Sequence, residues 1–301
     1  MYSINNIPLA SFGITPAQIS GSNIALAGHL DLAPRIGKTY HDWTGEAGVE
    51  PYVAESEIFR GGRTLSLAAY MVGDGRAAAE GQLAEFYALI TSFEDLVPFE
   101  TPWGTYQVYV KEAIESVYLQ QGYIKFTMQL QEPQPAIEQF LYAEGTNTGR
   151  RMDGTSFDEI GMFLTGFNGG LNRAQSKRQQ FSAYGKEGYQ ITPIEALTVE
   201  ATLVAVADDY EQLKKNVGDL RLVTSRALLR TCYFDDNPRE CFNVDGMQVQ
   251  RIIVAGNYAA CQITLPMLQP RPGAPLNTAF LADNSYRKMT TDQEQYLTVY
   301  A

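Results

Sequence analysis

Between Thr64 and Val72 every second residue is apolar: Leu65, Leu67, Ala69 and Met71. That period puts the four on one face of a half-buried strand. The period then changes. Leu83, Phe86, Tyr87 and Ile90 stand at i, i+3, i+4 and i+7, which is one face of a helix. Three strand-like stretches follow between Phe99 and Leu130. In the last of them Ile124, Phe126, Met128 and Leu130 alternate with Tyr123, Lys125, Thr127 and Gln129. Pro133 and Pro135 end it, because proline cannot donate to a ladder.

The same order returns further along. Leu197, Val199, Ala201 and Leu203 alternate, with Leu197 placed 132 positions after Leu65 (197 − 65). Tyr210, Leu213, Val217 and Leu220 then form a helical face, and Asp209 with Gln212 resembles a capping box at its start. The stretch Phe234 to Leu265 lies over Phe99 to Leu130 without a gap, at an offset of 135 (234 − 99). Its last strand carries Ala259, Cys261, Ile263 and Leu265 on one face and runs into Pro266, Pro270 and Pro272. Each copy also opens alike, with Leu9-x3-Gly13 in the first and Phe157-x3-Gly161 in the second. A G-x-x-G loop follows in each, Gly45 to Gly48 and Gly185 to Gly188. Over the gapless stretch the identical pairs are Phe99/Phe234, Tyr123/Tyr258 and Leu130/Leu265, so the repeat rests on element order and strand phase.

This pattern predicts a β-rich α+β protein of two tandem antiparallel β-sandwich or barrel domains, each with one helix. The expected boundaries are 1–135 for the first copy, a polar linker at 136–150, 151–272 for the second copy, and a C-terminal extension at 273–301 with a short strand at Tyr296–Tyr300.

A chain of 301 residues can bury two such cores. Eighteen Tyr and 14 Phe favour strands, while a charged fraction of 19% suits a surface largely covered by assembly. The net charge of −11 argues against a grip on nucleic acid by counterion release. It is unevenly placed: residues 1–135 carry 15 acidic and 7 basic side chains, residues 150–272 carry 14 of each. The N-terminus has neither the basic nor the apolar region of a signal peptide, and no apolar run approaches the roughly 18 residues of a membrane span. Cys232, Cys241 and Cys261 fit no zinc spacing and are expected as reduced core thiols, with Cys261 facing inward.

No catalytic, metal or cofactor residue is expected. Gly37-Lys38-Thr39 lacks the first glycine of a phosphate loop, since Leu32 stands in its place. Gly73-Asp74-Gly75 reads as a turn from strand into helix. His29 and His41 are too few for a metal centre. The pairs Glu55/Glu57 and Asp235/Asp236 read as solvated loop carboxylates, and no nucleophile elbow is present. Trp43, Trp103 and Tyr184 are candidates for sugar stacking, which would instead make the chain a carbohydrate-binding adhesion module.

A short strand ending in glycine, a G-x-x-G loop, the Arg63-Thr64-hydrophobic strand, a helix and three strands together resemble the N-terminal domain of phage distal tail proteins, and more broadly the tail-tube fold. Ala47 and Glu187 stand where that family has Asp, and Glu195-Ala196 stands where the second copy would carry Arg-Thr. The resemblance implies a structural, non-enzymatic ring protein of the virion tail, made in the host bacterial cytoplasm. It would surround the DNA channel without binding DNA specifically, contact tail-tube and tip or hub proteins, and need no membrane. Tandem copies allow six chains, in stacked or nested rings, or three chains in a pseudo-sixfold ring as in a hub. Six is the expectation, because the two copies differ most at the loop and strand start. The glycine loops at 36–60 and 174–194 are the expected inter-subunit elements. Trp43, Tyr52, Tyr184 and Tyr189 would serve as anchors there, and Gly45, Gly48, Gly185 and Gly188 as turns.

Overall fold

The computed structural model describes residues 1–301 apart from 44–45, 53, 112–113, 121, 137–148, 184–185, 273–277, 281–297 and 301; the side chains of 55, 178–193, 278–280 and 298–300 are likewise outside the description. Among the described residues the protein is β-rich with two α-helices, and its ladders are antiparallel.

The first half opens with a hairpin of β1 (Ser3–Ile4) and β2 (Ile7–Pro8), whose turn residues Asn5 and Asn6 are both left-handed. Then come β3 (Ile14–Pro16), β4 (Leu26–Ala27), β5 (Tyr40–His41), β6 (Glu50–Pro51) and β7 (Arg63–Val72). Helix α1 (Arg76–Thr91) leads to β8 (Val97–Thr101), β9 (Gly104–Val110), β10 (Glu115–Tyr118) and β11 (Tyr123–Glu132). The second half repeats the series. It begins with β12 (Arg151–Met152), β13 (Thr155–Ser156) and β14 (Met162–Asn168). The hairpin of β15 (Ser176–Ala183) and β16 (Lys186–Ile194) precedes β17 (Leu197–Ala207) and α2 (Tyr210–Ser225). The half closes with β18 (Arg230–Tyr233), β19 (Arg239–Cys241), β20 (Gln248–Ala255) and β21 (Tyr258–Gln269). In the extension, β22 (Thr278–Phe280) pairs with β23 (Thr298–Tyr300).

Most of the ladders correspond, although β4–β7 and β9–β11 have no counterpart among the named ladders of the second half. β1 pairs with β2 and β8, as β12 pairs with β13 and β18. β8 pairs with β9, as β18 pairs with β19. β7 lies between β3 and β11, as β17 lies between β14 and β21. β10 borders β11, as β20 borders β21. Local devices recur too. Gly13 and Gly161 both close a short 3-10 turn in the left-handed region, and their carbonyls accept from Val72 and Val206 at 2.9 Å.

Burial follows the alternation. Leu65, Leu67, Ala69, Met71, Ile124, Phe126, Met128 and Leu130 enter the first core, with Phe86 of α1. Val199, Ala201, Leu203, Cys261, Ile263 and Leu265 enter the second, with Tyr210, Leu213, Val217 and Leu220 of α2. Asp209 caps α2 by accepting from the Gln212 backbone N–H at 2.8 Å. All three cysteines are free and buried.

Three expectations differ from the structure. Leu65 faces Leu130 in its ladder, whereas Leu265 faces Ala201, so Ala201 and not Leu197 is the counterpart of Leu65. A shift of four residues in a period-two strand leaves the buried face unchanged, so alternation cannot detect it. The stretch 174–194 is not an open loop: β15 and β16 form a seven-pair ladder from Ser176↔Ile194 to Ala183↔Lys186. Its Lys177-Arg178-Gln179-Gln180 run carries no apolar alternation in sequence, so it gives no period-two signal. Finally, four strands and not three lie between Val97 and Glu132, because a turn separates β8 from β9.

Candidate assembly interface

The segment between β3 and β7 is shared by the two halves. On one side Leu26 and Ala27 pair with Leu67 and Ser66 of β7. On the other, residues 23–35 run antiparallel to 244–254. Asn23 N–H donates to the Ile252 carbonyl at 3.1 Å, and its side-chain amide exchanges hydrogen bonds with both backbone groups of Val254. Leu32 and Met247 exchange both main-chain bonds, and Arg35 N–H donates to the Val244 carbonyl. The backbone comes so close here that a Cβ on Gly246 would lie 2.0 Å from the Leu32 carbonyl oxygen. Ile24, Leu30 and Leu32 therefore belong to the second core, although they are first-half residues.

Through segment 23–35 the sheet that contains β10, β11, β7, β3 and β4 meets the separate sheet β20-β21-β17-β14 in one edge-to-edge arrangement. Among the described residues its two terminal strands, β10 and β14, are each paired on one side only. β10 is exposed along its whole length, with Val117 at 59% and Leu119 just beyond it at 47%; Phe163 of β14 is exposed at 53%.

Helix α2 packs on β17 and β21 of its own half and reaches the joint through Tyr210 and Arg226. Ten of its residues are buried, including Asn216, Asp219, Arg221 and Thr224, against two in α1. His29 Nε2 lies 2.8 Å from the Tyr210 hydroxyl, and Trp103 packs on the Tyr210 ring at 4.6 Å. Asp31 accepts from the Val249 N–H at 2.7 Å, and Arg35 donates to the Arg226 carbonyl at the end of α2. Arg63 bonds Glu132 at 2.6 Å across the β7–β11 ladder, with both side chains buried. Burial holds His29 down to about 3, helped by the positive charges of Arg63, Arg221 and Lys214. Burial likewise lifts the Asp31 carboxyl to about 6, opposed by the Val249 N–H and by Arg63 and Arg221. A cavity of about 130 Å³ remains between His29, Arg63, Trp103, Tyr106, Lys214 and Arg221.

The first glycine loop is the second part of the joint. Gly48 N–H donates to the Ile194 carbonyl at 2.7 Å and Val49 N–H to the Pro270 carbonyl at 3.2 Å. Gly48 has φ +68°, and a Cβ there would sit 1.6 Å from the Pro270 oxygen, so glycine is required. Lys177 of β15 donates to the Trp43 and Gly48 carbonyls and pairs with Asp42. Trp43 and Tyr52 do not anchor in a core. They stack on His41, at centroid distances of 4.8 and 4.0 Å, and remain half-exposed. Gly188 and Tyr189 lie in β16, where Gly188 pairs with Phe181 and Tyr189 with Gln180. Gly45, Tyr184 and Gly185 lie outside the described residues.

The remaining chemical candidates sit in structural roles. Gly37-Lys38-Thr39 leads into β5, so no helix N-terminus is there to hold a phosphate. Gly75 is the N-cap position of α1. Asp235 binds Arg239 and the Asn237 N–H, and Asp236 pairs with Arg150. Trp103 is committed to the joint, which removes one stacking platform. Among the described residues no three His, Cys, Asp or Glu side chains converge on a metal site.

Arg63 carried the family resemblance, and its structural part in the joint was not legible from sequence. The ladder places Val199 opposite Met267 where Arg63 stands opposite Glu132. The second copy thus has an apolar pair at this point, and Val199-Glu200 rather than Glu195-Ala196 stand at the positions of Arg63-Thr64. No protein-family model matches the chain, and no curated protein matches it.

Proposed function

We propose that the chain is a structural ring component of a phage-type tail, built from two tandem tail-tube-like units. It would be a distal tail or baseplate ring protein that surrounds the DNA channel, joins the tail tube to the tip or hub, and catalyses no reaction. It would be made in the host bacterial cytoplasm and reside in the virion tail. The observation that carries this reading is the edge-to-edge joint: two units of similar ladder order meet through segment 23–35, and among the described residues the far strands β10 and β14 are paired on one side only. Long open edges are a hazard that natural proteins cover, and a ring covers every one of them with the next unit. The acidic first half suits a channel wall that DNA must pass without sticking.

The test is the mass of the purified chain by light scattering, together with negative-stain images. Rings with an open centre wide enough for duplex DNA are expected. A protein that stays monomeric at every concentration, alone and with tail-tube protein, would sink the reading. Half-exposed Trp43 and Tyr52 supply the observation that favours the adhesion reading; specific glycan binding by a monomer, lost on replacing both, would establish it instead.

A further inference from the structure

Three positive side chains converge on the cavity at the joint. Arg63 of β7 and Arg221 of α2 are buried, and Lys214, on the same side of α2, is half-buried. The wall holds one carboxylate, Glu132, which Arg63 already binds at 2.6 Å. Asp31 is not in the wall; its carboxylate accepts from the Val249 N–H. The charges of Arg63, Arg221 and Lys214 all reach His29, which lies in the same wall. His29 is 2% exposed. Its Nε2 is engaged with the Tyr210 hydroxyl, whereas its Nδ1 is buried with no hydrogen-bond partner among the described residues. A buried ring nitrogen without a partner is costly, and folded proteins satisfy such groups with water or a ligand. When the Tyr210 hydroxyl donates to Nε2, Nδ1 carries the ring proton and becomes a donor. One donor and three cations around a single space suit an acceptor with several oxygens and a negative charge. The space is about 130 Å³, well below the roughly 300 Å³ at which pockets for organic ligands begin. Thr105 and Ala136 are exposed members of the wall, so an ion can enter from solvent.

We propose that this cavity binds one small tetrahedral oxyanion of the inorganic phosphate class, held by Lys214, Arg221 and the Nδ1–H of His29, with Arg63 fixed beside them by Glu132. A doubly charged ion suits a wall of three cations and one carboxylate. It bridges α2 of the second half to His29 and Arg63 of the first, so binding clamps the two halves together. Nucleic acid carries phosphate as well, but a duplex cannot enter a cavity of this size, and the free ion is the ligand. The site belongs to a single chain and is independent of the ring reading.

Isothermal titration of the wild-type chain with sodium phosphate, at ionic strength held constant with sodium chloride, tests this. One saturable site per chain is expected. Lys214→Gln should weaken binding about tenfold or more, the loss expected of one charge-assisted contact. Lys215→Gln removes the same charge from the exposed neighbouring residue of α2 and should bind as wild type does. A second readout needs no variant: imidazole ¹H–¹⁵N spectra of the saturated wild-type complex should show His29 protonated at Nδ1. Any of three results overturns the site: no saturable heat, wild-type affinity in Lys214→Gln, or a His29 Nδ1 without its proton in the complex. Heat with a duplex oligonucleotide but none with phosphate overturns it too, and assigns the cations to nucleic acid.

Discussion

His29 and Asp31 are buried two residues apart in the joint with opposite protonation preferences, and their pH effects should hide each other. Unfolded His29 takes up a proton below about 6.5, whereas folded His29 stays neutral down to about 3. Its contribution to stability therefore falls as pH drops through that window. Folded Asp31 takes up a proton below about 6, whereas the unfolded carboxyl waits until about 3.8. Its contribution rises as pH drops from 6 to 4. Between those limits each state holds one of the two protons, so the slopes cancel. Asp31→Asn removes one side of the balance while an amide oxygen can still accept from Val249. One proton is equivalent to about 1.4 kcal/mol per pH unit, so over two units the variant should lose about 3 kcal/mol relative to wild type. Urea unfolding at pH 7, 6, 5 and 4, followed by tryptophan fluorescence, measures the difference, and the other carboxylates cancel in it. The variant should compare best with wild type at pH 7 and worst at pH 4. A difference that is constant across this range would refute the placement of Asp31 in a dry joint.

Gly48→Ala should dislodge the first loop from Pro270 and speed amide exchange at Val49, with the two cores unaffected; unchanged protection of Val49 would contradict the contact. Arg63→Leu leaves Glu132 buried and unpaired, which should cost about 3–5 kcal/mol in denaturant melts, and adding Glu132→Met should restore most of it, because Val199 and Met267 already form that apolar pair in the second copy. A double variant no more stable than the single one would show that the ion pair has a role beyond charge neutralisation. Burial pushes the Cys261 thiol up to about 12, so a thiol reagent should label it only in denaturant; rapid labelling of the native protein would place it at the surface.

The elements that announce themselves by period were readable. β7, β11, β17, β21 and the inner faces of both helices follow from Leu65 to Met71, Tyr123 to Leu130 and their later counterparts, because one buried face imposes its period on the sequence. Register was not readable, since Leu197 and Ala201 sit on the same face. The hairpin at 176–194 escaped for the opposite reason: its Lys177-Arg178-Gln179-Gln180 run carries no apolar alternation in sequence. The joint was invisible for a third reason. Ile24, Leu30 and Leu32 are too scattered to form a strand pattern, and their burial depends on β20, more than 200 residues away. Of the interface residues, Gly48 was found from its loop signature.

The shared segment also has a consequence for how the protein is made. Asn23 and Val254 are 231 positions apart. At about 5–20 residues per second on the ribosome, β20 emerges roughly 10–45 s after the segment it must hold. Through that interval the first unit can close its own sheet, but Ile24, Leu30 and Leu32 have no core to enter and the β3/β4 edge has no cover. The edge that the finished chain occupies internally is then the most available docking site in the cell for another nascent copy. A late-arriving strand thus acts as a timer: until β20 is synthesised, the first half can pair with the wrong molecule, and once it is in place that edge is covered from within the chain.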